Sequence, residues 1–289
     1  MTDLKGNEIP TDMICEILVC TYNEGINRIQ EMLLPPMKDT HWLISFQYTD
    51  ISYLDCVPRH MTERTDVTLL FLEGSGLSAN RNNALFHATG DILLLADDDC
   101  RILPTHLQTI RQIFQDNPSV DIACCQAETI DGQPFRQYPV HEFNYNETPR
   151  GYWYCSMGIA LKMSNRIPAF DTRFGINSPC LACGEEEVWL YQAHRNKAAI
   201  RYFPKSIIRT RSVSTGNLFD THTKVQRSKG AVLTIVHGPL GALARCTKYI
   251  FCSRLSGWKA FEAFCAMIYG IIYIMVSHEP NRTNCTLPQ

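Results

Sequence analysis

The sequence predicts an α/β protein, a mostly parallel sheet flanked by helices, followed by a helical and basic carboxyl-terminal extension. Three observations carry that prediction. Short β-rich apolar runs alternate with segments of helical spacing as far as Phe203, the pattern of crossover-connected parallel strands. Three consecutive acids, Asp97, Asp98 and Asp99, follow directly on one apolar run, at the sheet edge where α/β proteins hold ligands. The charge is segregated: between Arg195 and Lys259 there are 13 Lys or Arg and one acid, Asp220, although the whole chain has a formal net charge of -2. With 289 residues, 45% of them apolar, the chain has ample material for a core. Disorder, a collagen repeat and a polytopic membrane protein are excluded by hydrophobicity, by the absence of a glycine period and by the lack of several apolar runs of about 20 residues.

The elements follow in order. Ile14–Cys20 is a short apolar run ending in turn residues, a buried strand that delivers the polar loop Thr21-Tyr22-Asn23-Glu24-Gly25. A helix around Arg28–Leu34 is stopped by Pro35-Pro36, and strands follow at Trp42–Tyr48 and Val67–Leu72. Leu77–Thr89 reads as a helix capped by Ser78 and closed by Gly90, leading into the central strand Asp91–Ala96. Pro104–Gln115 suits an amphipathic helix, Asp121–Gln126 a strand, Tyr138–Tyr154 an aromatic loop, Glu185–Asn196 a helix and Ala199–Phe203 a strand. Phe261–Val276 is almost continuously apolar, interrupted by Glu262 and Gly270, and shorter than a clean span. It reads either as an interfacial helix on an anionic bilayer or as a helix packed on the domain.

The amino-terminal residues have no apolar stretch of signal-peptide length, and the thirteen cysteines are scattered, several of them in core strands. A cytoplasmic protein with reduced thiols is the expectation, peripheral on the inner face of the cell membrane if the basic extension meets lipid. Cys180 and Cys183 have metal-pair spacing but no second pair, and the sequons at Asn146, Asn281 and Asn284 carry no weight without export.

Chemistry concentrates at the aspartates. Alternate side chains of an extended segment share a face, so Asp97 and Asp99 point together while Asp98 turns away. Adjacent carboxylates repel unless neutralised, and a hard divalent cation shared with a diphosphate neutralises them well.

Three segments now stand in order: Val19-Cys20-Thr21-Tyr22-Asn23-Glu24; Gly76-Leu77-Ser78-Ala79-Asn80-Arg81-Asn82; and Ala88-Thr89-Gly90-Asp91-Ile92 before the aspartates. Together they resemble the inverting family 2 glycosyltransferases of the GT-A (Rossmann-like) fold, bacterial surface-polysaccharide type, over roughly residues 14–204. The resemblance implies that Thr21, Tyr22 and Glu24 cradle a nucleotide base and ribose, that Ser78 and Arg81 border the nucleotide, and that Asp97 and Asp98 lie beside it. Asp99, with Asp97, would hold Mn2+ or Mg2+ on the diphosphate of a UDP-linked sugar. The family's acids at the end of the second strand are missing, which leaves Asp50 as the candidate for base recognition. A late metal-binding histidine is also missing before Ser214-Thr215-Gly216, leaving His222, the assigned ligand, or His237 to substitute, or Arg211 to contact the diphosphate itself.

The segment Phe170–Gly175 and the acids before Val188 are similar to the family's acceptor side. That likeness implies a catalytic base at Glu187, paired with Glu186, and the three glutamates Glu185, Glu186 and Glu187 leave the register open by one residue. Tyr138, Phe143, Tyr145, Tyr152, Trp153 and Tyr154 are either sugar-stacking rings or ordinary packing. The division expected is a GT-A domain over residues 1–212, with a nucleotide-sugar half at about 12–105 and an acceptor half at about 106–212, then the extension at 213–289. The acceptor expected is a saccharide hydroxyl, free or lipid-linked, with no nucleic-acid partner. Two other readings compete: a metal-dependent nucleotidyltransferase, which lacks its basic glycine-rich loop here, and a non-catalytic anionic-surface or nucleic-acid binding module, which leaves the acids unexplained.

Overall fold

The computed structural model of the chain describes residues 13–211, 218–253 and 255–277. The Ser214-Thr215-Gly216 segment, Asn281 and Asn284 lie outside the described residues. A single sheet runs through the domain in the order β3-β2-β1-β4-β8-β6-β9-β5, with β7 paired to β9. Its first four members are β1 (Cys15–Tyr22), β2 (Thr40–Tyr48), β3 (Val67–Glu73) and β4 (Ile92–Asp97), all parallel. β1 and β4 are buried on both faces, which is why they read as unbroken apolar runs rather than alternating ones. Cys15, Ile17 and Val19 enter one core layer; Leu18 and Cys20 enter the other.

Beyond β4 the sheet is mixed rather than mostly parallel. β5 (Cys100–Arg101), β6 (Ile122–Thr129), β7 (Phe143–Asn144), β8 (Ile159–Leu161) and β9 (Ile200–Thr210) complete it. The three-residue β8 runs antiparallel between β4 and β6, and it joins the two parallel blocks β3–β4 and β6–β9. A strand that short and fully apolar carries no alternation for a sequence to display. β9 is longer than its apolar start because its second half pairs with β5 and with the end of β6.

Helices α1 (Arg59–Thr62), α2 (Leu77–His87), α3 (Pro104–Asp116) and α4 (Glu185–Arg195) connect the strands. The segment expected as a helix around Arg28–Leu34 is a 3-10 stretch at Asn23–Glu31, entered by Asn23 at a positive φ of 47°. Ser78 does not cap α2, whose N-cap position is Gly76; the Ser78 hydroxyl instead donates to the Phe174 carbonyl at 2.7 Å. Of the aromatic loop only Phe143 and Tyr154 are buried, but its rings pack together: Phe143 stacks on Tyr202 with ring centres 4.6 Å apart, and Tyr145 on Tyr154 at 5.7 Å.

The carboxyl-terminal part is a helical hairpin. α5 (Thr223–Cys252) is kinked where Gly238 leaves helical geometry ahead of Pro239, and α6 (Gly257–Val276) is 20 residues long, longer than its apolar run predicted. The two helices cross at van der Waals contact of their backbones. A Cβ on Gly230 would fall on the Met267 carbonyl, and one on Gly270 on the Arg227 carbonyl. The first half of α5 packs on the domain through Val232, which fills the space a Cβ at Gly184 would take, just ahead of α4.

Candidate active site

The carboxyl ends of β1 and β4 lie side by side, Cys20 opposite Asp97, so the loop after β1 and the three aspartates are neighbours. Asp98 does turn away from Asp97, and it turns into the first loop: its carboxylate accepts from the Thr21 hydroxyl at 2.7 Å and pairs with Arg28 at 2.7 Å. Gly25 makes room for this cluster, since a Cβ there would land on Asp98 Oδ2 and crowd Thr21 Oγ1. Burial raises the pKa of Asp98, and the bonds from Thr21 and Arg28 oppose that rise.

Asp97 faces the other way, toward Arg81. This guanidinium, 3% exposed, lies 3.2 Å from Glu185 and 3.4 Å from both Glu186 and Asp97, donates to Ser156 Oγ at 2.8 Å and sits over the Phe170 ring. One buried cation thus holds three carboxylates from two distant stretches of chain. Burial works against the Arg81 charge, but Asp97, Glu186 and Glu185 together keep its pKa above the ordinary value. The carboxylates respond in the opposite direction. Burial raises Asp97, with Asp99 and Glu186 adding to the rise, and burial followed by the charge of Glu186 lifts Glu185 to about 8 despite Arg81. Glu185 Oε2 is buried with no hydrogen-bond partner.

The other motif residues clamp the two halves together. The Asn82 side chain donates to the Phe170 carbonyl and accepts from the Phe170 N–H, and Asn80 donates to the Thr21 carbonyl at 3.0 Å. Ser78, expected beside the nucleotide, belongs to this clamp through its bond to Phe174. The glutamates occupy the first turn of α4, where the helix dipole favours them.

A cavity of about 340 Å³ joins these parts. One wall carries Arg81, Asp97 and the three glutamates; another carries Trp153 and Tyr154; the third is Phe219 with the α5 residues Val225, Ser228, Lys229 and Tyr249. The sequence reading missed Lys229 and Tyr249. No local motif marks them, and only the packing of α5 brings them to the glutamates. The Lys229 ammonium stands 5.7 Å from the Tyr249 ring centre and lines the same cavity as the carboxylates.

Several expected residues stand elsewhere. Glu24 accepts from the Tyr53 hydroxyl at 3.1 Å, and Tyr22 ends β1 half-buried. Asp50 is exposed and caps the short 3-10 turn at Ile51–Cys56 through Ser52, whose bonds lower its pKa. His222 is exposed and bonds its own neighbour Thr221 at 2.8 Å; Arg211 pairs with Glu31 at 3.6 Å; neither lines the cavity. Among the described residues no three His, Cys, Asp or Glu side chains converge into a metal cage. The donors that fit a metal are Asp99 and Asp97, two carboxylates whose charges oppose one another, a set suited to a hard divalent cation that also takes phosphate oxygens.

A parallel β3-β2-β1-β4 block with acids at the end of β4, completed by a mixed acceptor-side half, is the α/β architecture of the GT-A glycosyltransferases. Residues 53–177 match the family model described as glycosyl transferase family 2, from ahead of β3 through the aspartates to Asn177. Solved structures of S. aureus TarS share the fold. TarS 1-349 aligns with a TM-score of 0.57 and 15% identity, over 91% of this chain and 81% of that one. The complex of TarS 1-349 with UDP-GlcNAc gives 0.56 and 16%, over the same shares. A longer TarS chain gives 0.51 and 17%, and this chain spans only 44% of it. No curated protein matches the sequence significantly.

Proposed function

We propose that the chain transfers a sugar, with inversion, from a nucleoside-diphosphate sugar, UDP-linked as in the TarS complex, to a hydroxyl of a saccharide acceptor in bacterial surface-polysaccharide or glycolipid assembly. The observation that carries this reading is the single Arg81 guanidinium that ties Asp97, at the donor end of the sheet, to Glu186 on the acceptor-side helix. Donor and base are thereby held within one side-chain length of each other.

In the proposed reaction Thr21, Tyr22 and the backbone around Gly25 receive the nucleoside, with Arg28 and Asp98 closing the loop beside it. Asp99 and Asp97 would hold Mn2+ or Mg2+, which when bound supplies positive charge to the diphosphate oxygens as the glycosidic bond breaks. The α4 wall faces the opposite side of the sugar. There one carboxylate takes the proton of the attacking hydroxyl, so a single displacement inverts the anomeric carbon. We assign that base to Glu186 rather than to Glu187, because Glu186 is the one that Arg81 turns toward Asp97. Glu185, buried against Arg81, sets the electrostatics of the pair rather than meeting substrate. Trp153 and Tyr154 offer aromatic faces to the acceptor.

Calorimetric titration with nucleoside diphosphates, each with and without Mn2+, tests this reading. Metal-dependent binding of UDP that is lost in Asp99→Asn is expected. Absence of binding to every diphosphate in folded protein would remove the donor site and with it the transferase reading.

A further inference from the structure

α6 is long and apolar enough to cross a membrane, with a mean hydropathy of 1.6 in its most apolar window, yet only 28% of that window is buried. Its two faces explain this. Ala263, Ala266, Met267, Gly270 and Ile271 pack on α5. On the opposite face Trp258, Phe261, Cys265, Tyr269, Ile272 and Val276, spaced three or four residues apart, form an uninterrupted exposed stripe along all 20 residues, about 30 Å. Trp258 is 71% exposed, and α5 adds Leu240, just past its kink, and Phe251, in its last turn, at 84% and 85%. An apolar surface of this extent has to be covered by something.

The charges identify the cover. From Thr223 to Ser277 the chain carries seven Lys or Arg and one acid, Glu262, and that carboxylate accepts from Trp258 Nε1 at 2.8 Å. Arg245, Lys248 and Lys259 are exposed on the same hairpin as the stripe. A second copy of the chain placed on this face by a two-fold axis would set these cations against their own counterparts. An anionic lipid surface meets the cations with phosphate and the stripe with acyl chain. α6 lies along that surface rather than crossing it, because its carboxyl end is tied to the domain: Arg173, itself paired with Asp171 at 2.6 Å, donates to the Ser277 carbonyl at 2.9 Å.

We infer that the α5–α6 hairpin docks the chain on an anionic lipid bilayer through the stripe of Trp258, Phe261, Tyr269, Ile272 and Val276, together with Leu240 and Phe251. Tyr249 extends the consequence to the acceptor. It lines the cavity, is itself partly exposed, and sits on the last turn of α5, the turn that also carries Phe251, so the α5 wall of the site reaches the end of the helix that belongs to the docking face. An acceptor anchored in the bilayer by a lipid tail would present its sugar at that wall, a step that rests on the transferase reading above.

Flotation of the full chain with vesicles of phosphatidylglycerol and phosphatidylcholine in equal parts, and with phosphatidylcholine alone, tests the docking. Strong binding to the anionic vesicles only is expected, weakened by salt. The triple variant Phe251→Ser, Trp258→Ser, Phe261→Ser, which changes only exposed positions, should bind roughly a hundredfold more weakly. Its UDP titration should match that of the unmodified chain. Absence of vesicle binding, equal binding to neutral vesicles, or a dimer seen by light scattering that the triple variant dissolves would each overturn the inference. Because UDP binding is read on the same samples, failure of the donor site is recognised separately from failure of the membrane surface.

Discussion

The two long walls of the cavity are built on opposite terms. The sheet-edge wall is charged and rigid, three carboxylates around one buried arginine, each group fixed by a bond to a separate part of the chain. The α5 wall is apolar with a single lysine, and it is held in place by glycine contacts and by Val232 seated over Gly184. Chemistry needs the first kind of wall, because charges that must act at a reacting bond cannot be left to reorient. Acceptor binding can use the second kind, where aromatic and aliphatic surface together with one mobile cation adapts to a saccharide.

The sharpest way to break this contrast is Arg81→Met. It strands Asp97, Glu185 and Glu186 without a countercharge, so stability should fall by about 3–5 kcal/mol and turnover should vanish. Near-normal denaturant unfolding would mean that Arg81 is not the tie between the halves. Glu186→Gln comes next: turnover should drop by roughly 10²–10⁴-fold with UDP binding retained, and Glu187→Gln should cost far less. The reverse order in steady-state kinetics would move the base to Glu187. On the other wall, Gly270→Leu should push α6 off α5 at about 1–3 kcal/mol and raise the acceptor KM more than it lowers kcat; an unchanged melting temperature would separate the hairpin from the site. Lys229→Ala, which removes one cation and leaves the packing alone, should raise a KM by roughly tenfold, about the value of one charge-assisted hydrogen bond. A larger loss in kcat would place that lysine on the leaving diphosphate.

The smallest effect concerns pH. Because Glu185 is raised to about 8 in the folded chain, the native state holds more protons than the unfolded one between the ordinary glutamate value and about 8. Its contribution to stability is therefore complete at low pH and is lost as pH rises through that window. The melting temperature of Glu185→Gln should lack this decline, a difference on the order of a few degrees between pH 5 and pH 8. Parallel profiles for the two proteins would show that Glu185 ionises at its ordinary value.

Legibility followed the range of the forces involved. β1, β2, β3 and β4 could be read because each is a local run of apolar residues, and Thr89-Gly90-Asp91 because the tight entry to β4 is local as well: Glu16 accepts from the backbone N–H groups of Thr89 and Gly90. Ser78 was misread because a serine at the start of a helix normally caps it, whereas its partner here is a carbonyl 96 residues away. Asp98 was correctly turned from Asp97, but its destination, Thr21 and Arg28, depends on the pairing of β1 with β4. β8 is too short to carry a pattern, and its antiparallel insertion made the sheet mixed.

By itself the sequence determined the α/β class, the parallel donor-side strands, the acids at the end of β4 and the acidic start of α4, since each depends on residues adjacent in the chain. Only the tertiary structure decided that Arg81 gathers three of those acids, that Lys229 and Tyr249 line their cavity, and that α6 turns an apolar stripe outward. Those outcomes depend on which surfaces meet when distant segments pack, and a one-dimensional pattern of polar and apolar residues carries no record of that.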